Sequence, residues 1–392
     1  MSEEVYWIWL QQVLGPCSRH LVPLLERYGN PKEVYEARAD LCKEPQGLSK
    51  GELSRLKNAT LDQAKRVEEH NVNLGYQLIT LEHPDYPEGL REIFAPPAVL
   101  YCKGRMNGLQ QKILIAMVGT RKFSVYGKKT AELFSKELAE AGVGIVSGCA
   151  LGVDSSSHIG ALKGGGTTYA VLGCGLDIDY PAPNRELKEL IAQNGALISE
   201  YPAGTQALPY YFPMRNRIIS GMSHGVLVVE GSEKSGSMIT AGYAASQNRD
   251  LFAVPGDIFS PTSKGPNRLI RDGAIAATCT LDILGEYLAK YPERITINQE
   301  TEVEQLELKA NSIVECSPAA KQLPQPPGYL TALQKTVYVI LEETPQDIET
   351  IVAKTKLPVY QVLSILTELE LCDLIKPHSG KRFSLRFADT SK

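Results

Sequence analysis

Between Phe212 and Asn248 the chain reads FPMRNRIISGMSHGVLVVEGSEKSGSMITAGYAASQN, and this stretch holds the residues best suited to bind an anion. Arg215, Asn216 and Arg217 lie on one short segment. Lys234, Ser235, Gly236 and Ser237 follow an apolar run, VLVV. Guanidinium groups take phosphate oxygens two at a time. A Ser-Gly-Ser turn that opens a helix leaves backbone N–H groups and the positive end of the helix dipole facing outward. The competing reading of Ser235 and Ser237 is ordinary capping of that helix, and the turn alone does not separate the two. Two arginines beside Pro213 favour the anion.

Such residues need a scaffold. The run Val226–Glu230, preceded and followed by glycine, reads as a parallel strand covered on both faces. Further strands are expected at Ile113–Val118, Gly144–Ser147, Tyr169–Leu172, Ala196–Ser199 and Leu251–Val254. Helices are expected at Tyr126–Ala141, Val153–Lys163, Asn184–Gln193, Met214–Ser220, Ser237–Asn248 and Asn267–Arg271. This alternation predicts a Rossmann-like, doubly wound, mostly parallel sheet. Ligands in such sheets sit beyond the carboxyl ends of the strands. There the sequence places Gly119-Thr120-Arg121, the turn from Gly148 to Gly152, and the turn from Gly173 to Asp177. Glu200-Tyr201-Pro202, the Gly231–Gly236 loop and Pro255-Gly256-Asp257 complete the edge. Glycine lets a backbone approach a ligand closely, so the convergence predicts a binding site.

The flanks read differently. Residues 1–75 are expected to form a small helical, SAM-like module, with helices at Glu4–Leu14, Ser18–Tyr28, Pro31–Ala39 and Ser49–Glu69. Ser49 and Glu52 have the spacing of a capping box. A Pro-rich entry with one edge strand, Ala98–Lys103, leads into the α/β domain, taken as 76–292. Residues 293–327, rich in Glu and Pro, read as an acidic linker. Residues 328–392 read as a winged helix: helices at Thr331–Leu341, Thr344–Thr355 and Val359–Leu369, then a hairpin in which Leu374–Pro377 turns through His378-Ser379-Gly380 into Lys381–Phe387.

Composition excludes several classes. The formal net charge is −4 over 392 residues. Residues 112–285 carry 16 Lys+Arg against 15 Asp+Glu, and residues 328–387 carry 7 against 7. Any polyanion site is therefore local. For the winged helix, neutrality favours docking to a protein over reading DNA. The eight cysteines are scattered without a C-x-x-C pair, which argues against zinc ribbons and redox pairs. No run approaches a membrane span and no basic leader precedes the first apolar stretch, so the expectation is a cytoplasmic protein with reduced thiols.

Other motifs fail on context. Gly221-Met222-Ser223-His224-Gly225 matches a nucleophile elbow in letters, but its helix precedes the serine and its strand follows. Gly173-x-Gly175 has Ile178 where a dinucleotide loop needs its third glycine, and no P-loop occurs. Asp177-x-Asp179 reads as a loop brace, and the six histidines show no zinc-hydrolase spacing. Neither cofactor nor metal is expected.

Eight ordered blocks then resemble the DNA-processing family DprA, also called Smf. They are VGTR (118–121), SGCALGVD (147–154), LGCGLDIDYPAPN (172–184) and SEYPAG (199–204), followed by FPMRNRIISGMS (212–223), SGSMITAGYA (235–244), FAVPGD (252–257) and GPNRLIRDGA (265–274). The resemblance implies a non-enzymatic protein that binds single-stranded DNA, protects incoming DNA and loads the RecA recombinase during natural transformation. It also implies a homodimer formed through the Rossmann-like domain. Carried onto this chain, it assigns phosphate contact to Arg121, with Gly119, Thr120 and Gly148 giving close approach. Arg215, Asn216, Arg217, Lys234, Ser235, Gly236 and Ser237 would line the same pocket. Tyr210, Tyr211 and Phe212 are candidates for base stacking, with core packing as the alternative. Asp154 and Glu200 are expected to order the loops. A different class is a nucleotide-processing hydrolase resembling the LOG family, but GSEKSGSMITA (231–241) lacks that family's PGG and trailing glutamate. Sequence-specific control through the winged helix would need a basic face that is not found.

Overall fold

The computed structural model describes residues 2–43, 47–296, 327, 330–341, 346–372, 374–378 and 382–385, which fall into two compact units, 1–298 and 299–392. Most of the expected acidic linker lies outside the described residues.

The first unit is built on a nine-stranded sheet. Its strands are β1 (Gln77–Thr80), β2 (Val99–Gly104), β3 (Leu114–Val118), β4 (Gly144–Ser147), β5 (Thr168–Leu172), β6 (Gly195–Ser199), β7 (Gly225–Val228), β8 (Asp250–Ala253) and β9 (Ile275–Ala276). Their spatial order is β1-β2-β6-β5-β4-β3-β7-β8-β9. From β6 to β9 every pairing is parallel, while β1 and β2 run antiparallel along one edge. The chain steps outward from β3 to β6, then returns to lay β7 on the other side of β3. The crevice between β3 and β7 is therefore the topological switch point, where an open α/β sheet takes its ligand.

The apolar runs explain the sheet. In VLVV, Val226 and Val228 enter one hydrophobic layer while Leu227 and Val229 enter the other. Leu114, Ala116 and Val118 of β3 alternate with Ile115 and Met117 in the same way. All are almost fully buried. Each Val, Leu, Ile or Met so buried contributes about 1.5–3 kcal/mol relative to exposure. The short helix α7 (Glu88–Arg91) lies between β1 and β2 in the chain, and the covering helices are α8 (Val125–Glu140), α9 (Val153–Lys163), α10 (Arg185–Asn194), α11 (Tyr211–Gly221), α12 (Gly236–Ser246), α13 (Lys264–Arg271) and α14 (Leu281–Leu288). The first six, α8 to α13, match the expected elements to within a few residues at each end, whereas α14 has no counterpart among the helices expected from the sequence.

The N-terminal helices are α1 (Glu3–Leu14), α2 (Leu21–Tyr28), α3 (Pro31–Glu36), α4 (Arg38–Lys43), α5 (Lys50–Asn58) and α6 (Leu61–Asn73). The single helix expected over Ser49–Glu69 is in fact two. The capping box of Ser49 and Glu52 is present, but Thr60 is extended and forms a second box with Gln63, which starts α6 afresh. Trp9, fully buried, donates its indole N–H to the Ala59 carbonyl at the break, 3.2 Å away. Trp9 and Leu10 share one hydrophobic cluster with Tyr101, Ala170 and Leu172 of the sheet. Helical region and sheet thus have a continuous core.

The second unit holds helices Ala332–Ile340, Ile348–Thr355 and Val359–Leu371 with a three-stranded antiparallel sheet of Gln346–Asp347, Arg382–Leu385 and Ile375–His378. This is a winged helix. The start of the second expected helix, part of the expected hairpin turn and both ends of its second arm fall outside the described residues. The seven described cysteines are free, and among the described residues no helix is long and apolar enough to cross a membrane.

Candidate functional site

A cleft of about 490 Å³ opens at the switch point. Four pieces of chain wall it: Gly119–Lys122 after β3, Ala150 and Asp154 around the start of α9, the face of α11 carrying Phe212, Arg215 and Asn216, and Ser235–Ser237 opening α12. A smaller hollow adjoins it, lined by Arg121, Gly148, Gly173, Tyr180 and Phe212 among others. The loops after β6 and β8, expected to join this edge, do not reach the cleft.

Close approach explains two glycines. A Cβ on Gly119 would lie 2.5 Å from Val153 Cγ2 and 2.9 Å from the Glu230 carbonyl. One on Gly148 would lie 2.5 Å from Arg215 Nη2. Thr120 is tied down as well: its N–H donates to the Glu230 carbonyl at 2.7 Å, and its hydroxyl accepts from Lys122 N–H at 3.1 Å. The loop is therefore preset, and Arg121 stands out from it. Arg121 is exposed, pairs with no carboxylate among the described residues, and holds its guanidinium 5.6 Å from the centre of the Phe212 ring. That distance suits a cation–π contact.

At α12 the capping reading does not hold. Ser235 is the N-cap but its side chain makes no capping bond; its hydroxyl pairs with the Ser237 hydroxyl at 2.7 Å. The first turn of α12 therefore keeps backbone donors and dipole available to an anion. The start of α8, by contrast, is closed. Ser124 caps it, and Glu230 accepts from the Ser124 N–H at 2.9 Å and hydroxyl at 2.6 Å. A carboxylate already occupies that helix terminus.

The arginines of α11 depart from expectation. Arg215 lines the cleft, but it is 4% exposed and its Nη1 donates inward, to the Gly148 carbonyl at 2.8 Å and to the Val171 carbonyl. Burial holds its pKa below the usual arginine value. Its guanidinium braces the ends of β4 and β5 instead of reaching into solvent. Arg217 is outside the cleft altogether: also 4% exposed, it forms a 2.6 Å ion pair with Glu200. Two residues along an α-helix turn the side chain by about 200°, so Arg215 and Arg217 face opposite ways. Lys234 is exposed on its loop and does not line the cleft. Asn216 does, and it ties α11 to α12 through the Gly236 carbonyl at 3.3 Å.

Asp154 is the carboxylate of the cleft wall. Burial raises its pKa, against the pull of Arg215, and it accepts from the Ala150 N–H at 3.4 Å. Asp177 braces a loop as expected, accepting from the Gly204 N–H at 2.9 Å. Among the aromatics, Phe212 faces both cavities, whereas Tyr211 packs on Tyr201 and Tyr210 with ring centres 4.1 Å and 4.5 Å apart. Sequence reasoning missed Tyr180, whose ring lies 5.2 Å from Phe212 in the adjoining hollow. Its signal is a position inside LGCGLDIDYPAPN, the block that also carries Gly173 and Gly175.

Fold and site together define an α/β protein with an open, cationic, glycine-walled cleft at the switch point of its sheet. A family model for DNA recombination-mediator protein A matches residues 77–288, and one for the DprA winged helix domain matches residues 319–381. Protein Smf of Synechocystis is 34% identical over 98% of this chain and 99% of its own length. The X-ray structure of DNA processing protein A from Streptococcus pneumoniae is 32% identical, with a TM-score of 0.63 over 71% of this chain and 95% of that one. The Helicobacter pylori DNA processing protein A, described for its single-stranded DNA binding mode, is 33% identical. Its TM-score is 0.50 over 55% of this chain and 98% of that one. The chain belongs to the DNA recombination-mediator protein A family, also called DprA or Smf.

Proposed function

We propose that this chain is a recombination mediator that binds single-stranded DNA across the switch-point cleft, protects incoming DNA and delivers it to the RecA recombinase during transformation. One observation carries the binding: Arg121, exposed and without a carboxylate partner among the described residues, shares a cleft with the uncapped start of α12 and the Phe212 ring. A charge-assisted contact, backbone donors and a stacking surface are the elements that sequence-tolerant single-strand binding needs. Gly119, Thr120, Gly148, Asn216, Ser235, Gly236 and Ser237 shape the seat, and Arg215 holds it rigid. The protein acts as a homodimer through its Rossmann-like domain, in the cytoplasm.

We read the site as binding rather than catalysis. Glu200 is engaged by Arg217, and Glu230 by Ser124 and Thr262. That leaves Asp154 as the carboxylate in the cleft wall, with no PGG loop opposite it. The test is fluorescence anisotropy of labelled oligo-dT against duplex of equal length at two salt concentrations. A salt-sensitive preference for the single strand is expected; equal or absent binding overturns the reading and directs attention to nucleotide hydrolysis.

A further inference from the structure

We infer that the buried pair Arg217–Glu200 is a positioning device, through which the N-terminal helices set α11 and hence the cleft; the inference rests on the single-strand reading above. The pair is an odd way to stabilise a fold. Arg217 Nε and Nη1 and Glu200 Oε2 are buried without hydrogen-bond partners among the described residues. The neighbouring Gln11 Oε1 and Tyr201 hydroxyl share that condition. Apolar side chains of similar volume serve stability as well as, or better than, a buried pair, so orientation is the property left for it to supply.

The contacts show what is oriented. From α1, Gln11 Nε2 donates to the Glu200 carbonyl at 2.5 Å. Glu200 Oε1 then accepts from Arg217 on α11. From the turn after α1, the Cys17 thiol reaches the Met214 carbonyl on α11 at 4.0 Å, with Cys17 held at φ 60°, a left-handed conformation rare for non-glycine residues. From the far side, Gln247 Nε2 donates to the Arg217 carbonyl at 3.2 Å. The face of α11 opposite Arg217 carries Arg215 and, one turn earlier, Phe212. A shift of α11 about this anchor moves the Phe212 ring relative to Arg121 without removing any cleft residue.

The experiment uses the full chain and oligo-dT anisotropy alongside thermal melting. Glu200→Met with Arg217→Met removes both charges and leaves neither uncompensated. Expected are a near-normal Tm, an affinity about ten-fold lower and an unchanged salt slope, since no phosphate contact is lost. Arg217→Lys, which keeps the charge, is expected to recover most of the affinity. Wild-type affinity in a stably folded double variant overturns this inference alone. A wild-type chain that does not bind oligo-dT overturns the single-strand reading, and this inference with it. Should the double variant melt below the assay temperature, Gln11→Ala decides the matter: a two- to five-fold loss at unchanged Tm supports the coupling, and no loss overturns it.

Discussion

The loop after β3 and the helix α11 both present arginines near the same cleft, and they use them in opposite ways. Arg121 stands in solvent on a backbone locked by Thr120, with no carboxylate paired to its cation among the described residues. Arg215 and Arg217 are each 4% exposed and satisfy the protein itself, one with backbone carbonyls and the other with Glu200. The difference teaches that a cation's place in a motif does not say whom it serves. What decides is whether the surrounding backbone leaves it partners. A buried guanidinium must be matched internally because leaving it dry and unpaired costs several kcal/mol, whereas an exposed one is hydrated at no such cost.

The largest test of this contrast is stability. Arg217→Met leaves the Glu200 carboxylate buried and unpaired, and is expected to lower unfolding free energy by about 3–5 kcal/mol in urea titration. Arg121→Ala is expected to stay within about 0.5 kcal/mol of wild type. Equal effects of the two would erase the distinction.

Affinity should reverse the order of the two arginines. Arg121→Ala removes a charge-assisted contact worth about 1.5–3 kcal/mol, or roughly 10- to 150-fold in oligo-dT affinity. It should also flatten the log K against log salt slope by about 0.7, the share of one phosphate on a single strand. A normal slope with reduced affinity would assign Arg121 to base stacking instead.

A second enclosed charge extends the contrast to pH. Burial alone would raise the Glu52 carboxyl, but hydrogen bonds from Ser18, Ser49 and His20 outweigh it and pull it down to about 2 from 4.5. A carboxyl held low in the folded state stabilises above its unfolded value and loses that contribution as the folded value is approached. Tm is therefore expected to fall between pH 4.5 and about 2. Glu52→Gln should be less stable than wild type at neutral pH, with a flatter acid limb.

The smallest expected effect is in the winged helix. Its third helix exposes Val359, Tyr360, Leu363 and Leu371 and no Lys or Arg along Val359–Leu371. Tyr360→Ala, at a side chain 71% exposed, is expected to change oligo-dT affinity less than two-fold. A ten-fold loss would give this unit a direct part in binding the strand.

Much of this is legible in the sequence. Parallel strands announce themselves because covering both faces makes VLVV and its counterparts apolar at every position, and β–α alternation then leaves few topologies. The glycines at the strand ends, the winged-helix elements and the eight blocks of resemblance were equally plain. The break between α5 and α6 is written as Thr60 with Gln63, yet a strong capping box at Ser49 and the absence of Gly or Pro from Glu52 to Glu69 conceal it. The helical spacing that defines the N-terminal module stops near residue 75, whereas the module's core runs on into the sheet through Tyr101 and Leu172.

The sequence by itself determined the central parallel strands, their order along the chain and the glycine-rich turns at their carboxyl ends, because these follow from continuous apolar runs, the 3.6-residue helical period and chain connectivity. The short strands β1 and β9 carry no such run. Only the tertiary structure decided which cation stays exposed at the cleft. Arg121, Arg215 and Arg217 are alike in type and neighbours in space, but the direction of each side chain depends on helix phase and on carbonyls and carboxylates far away in sequence. Gly148 and Val171 claim Arg215, and Glu200 claims Arg217. Arg121 is left exposed to solvent.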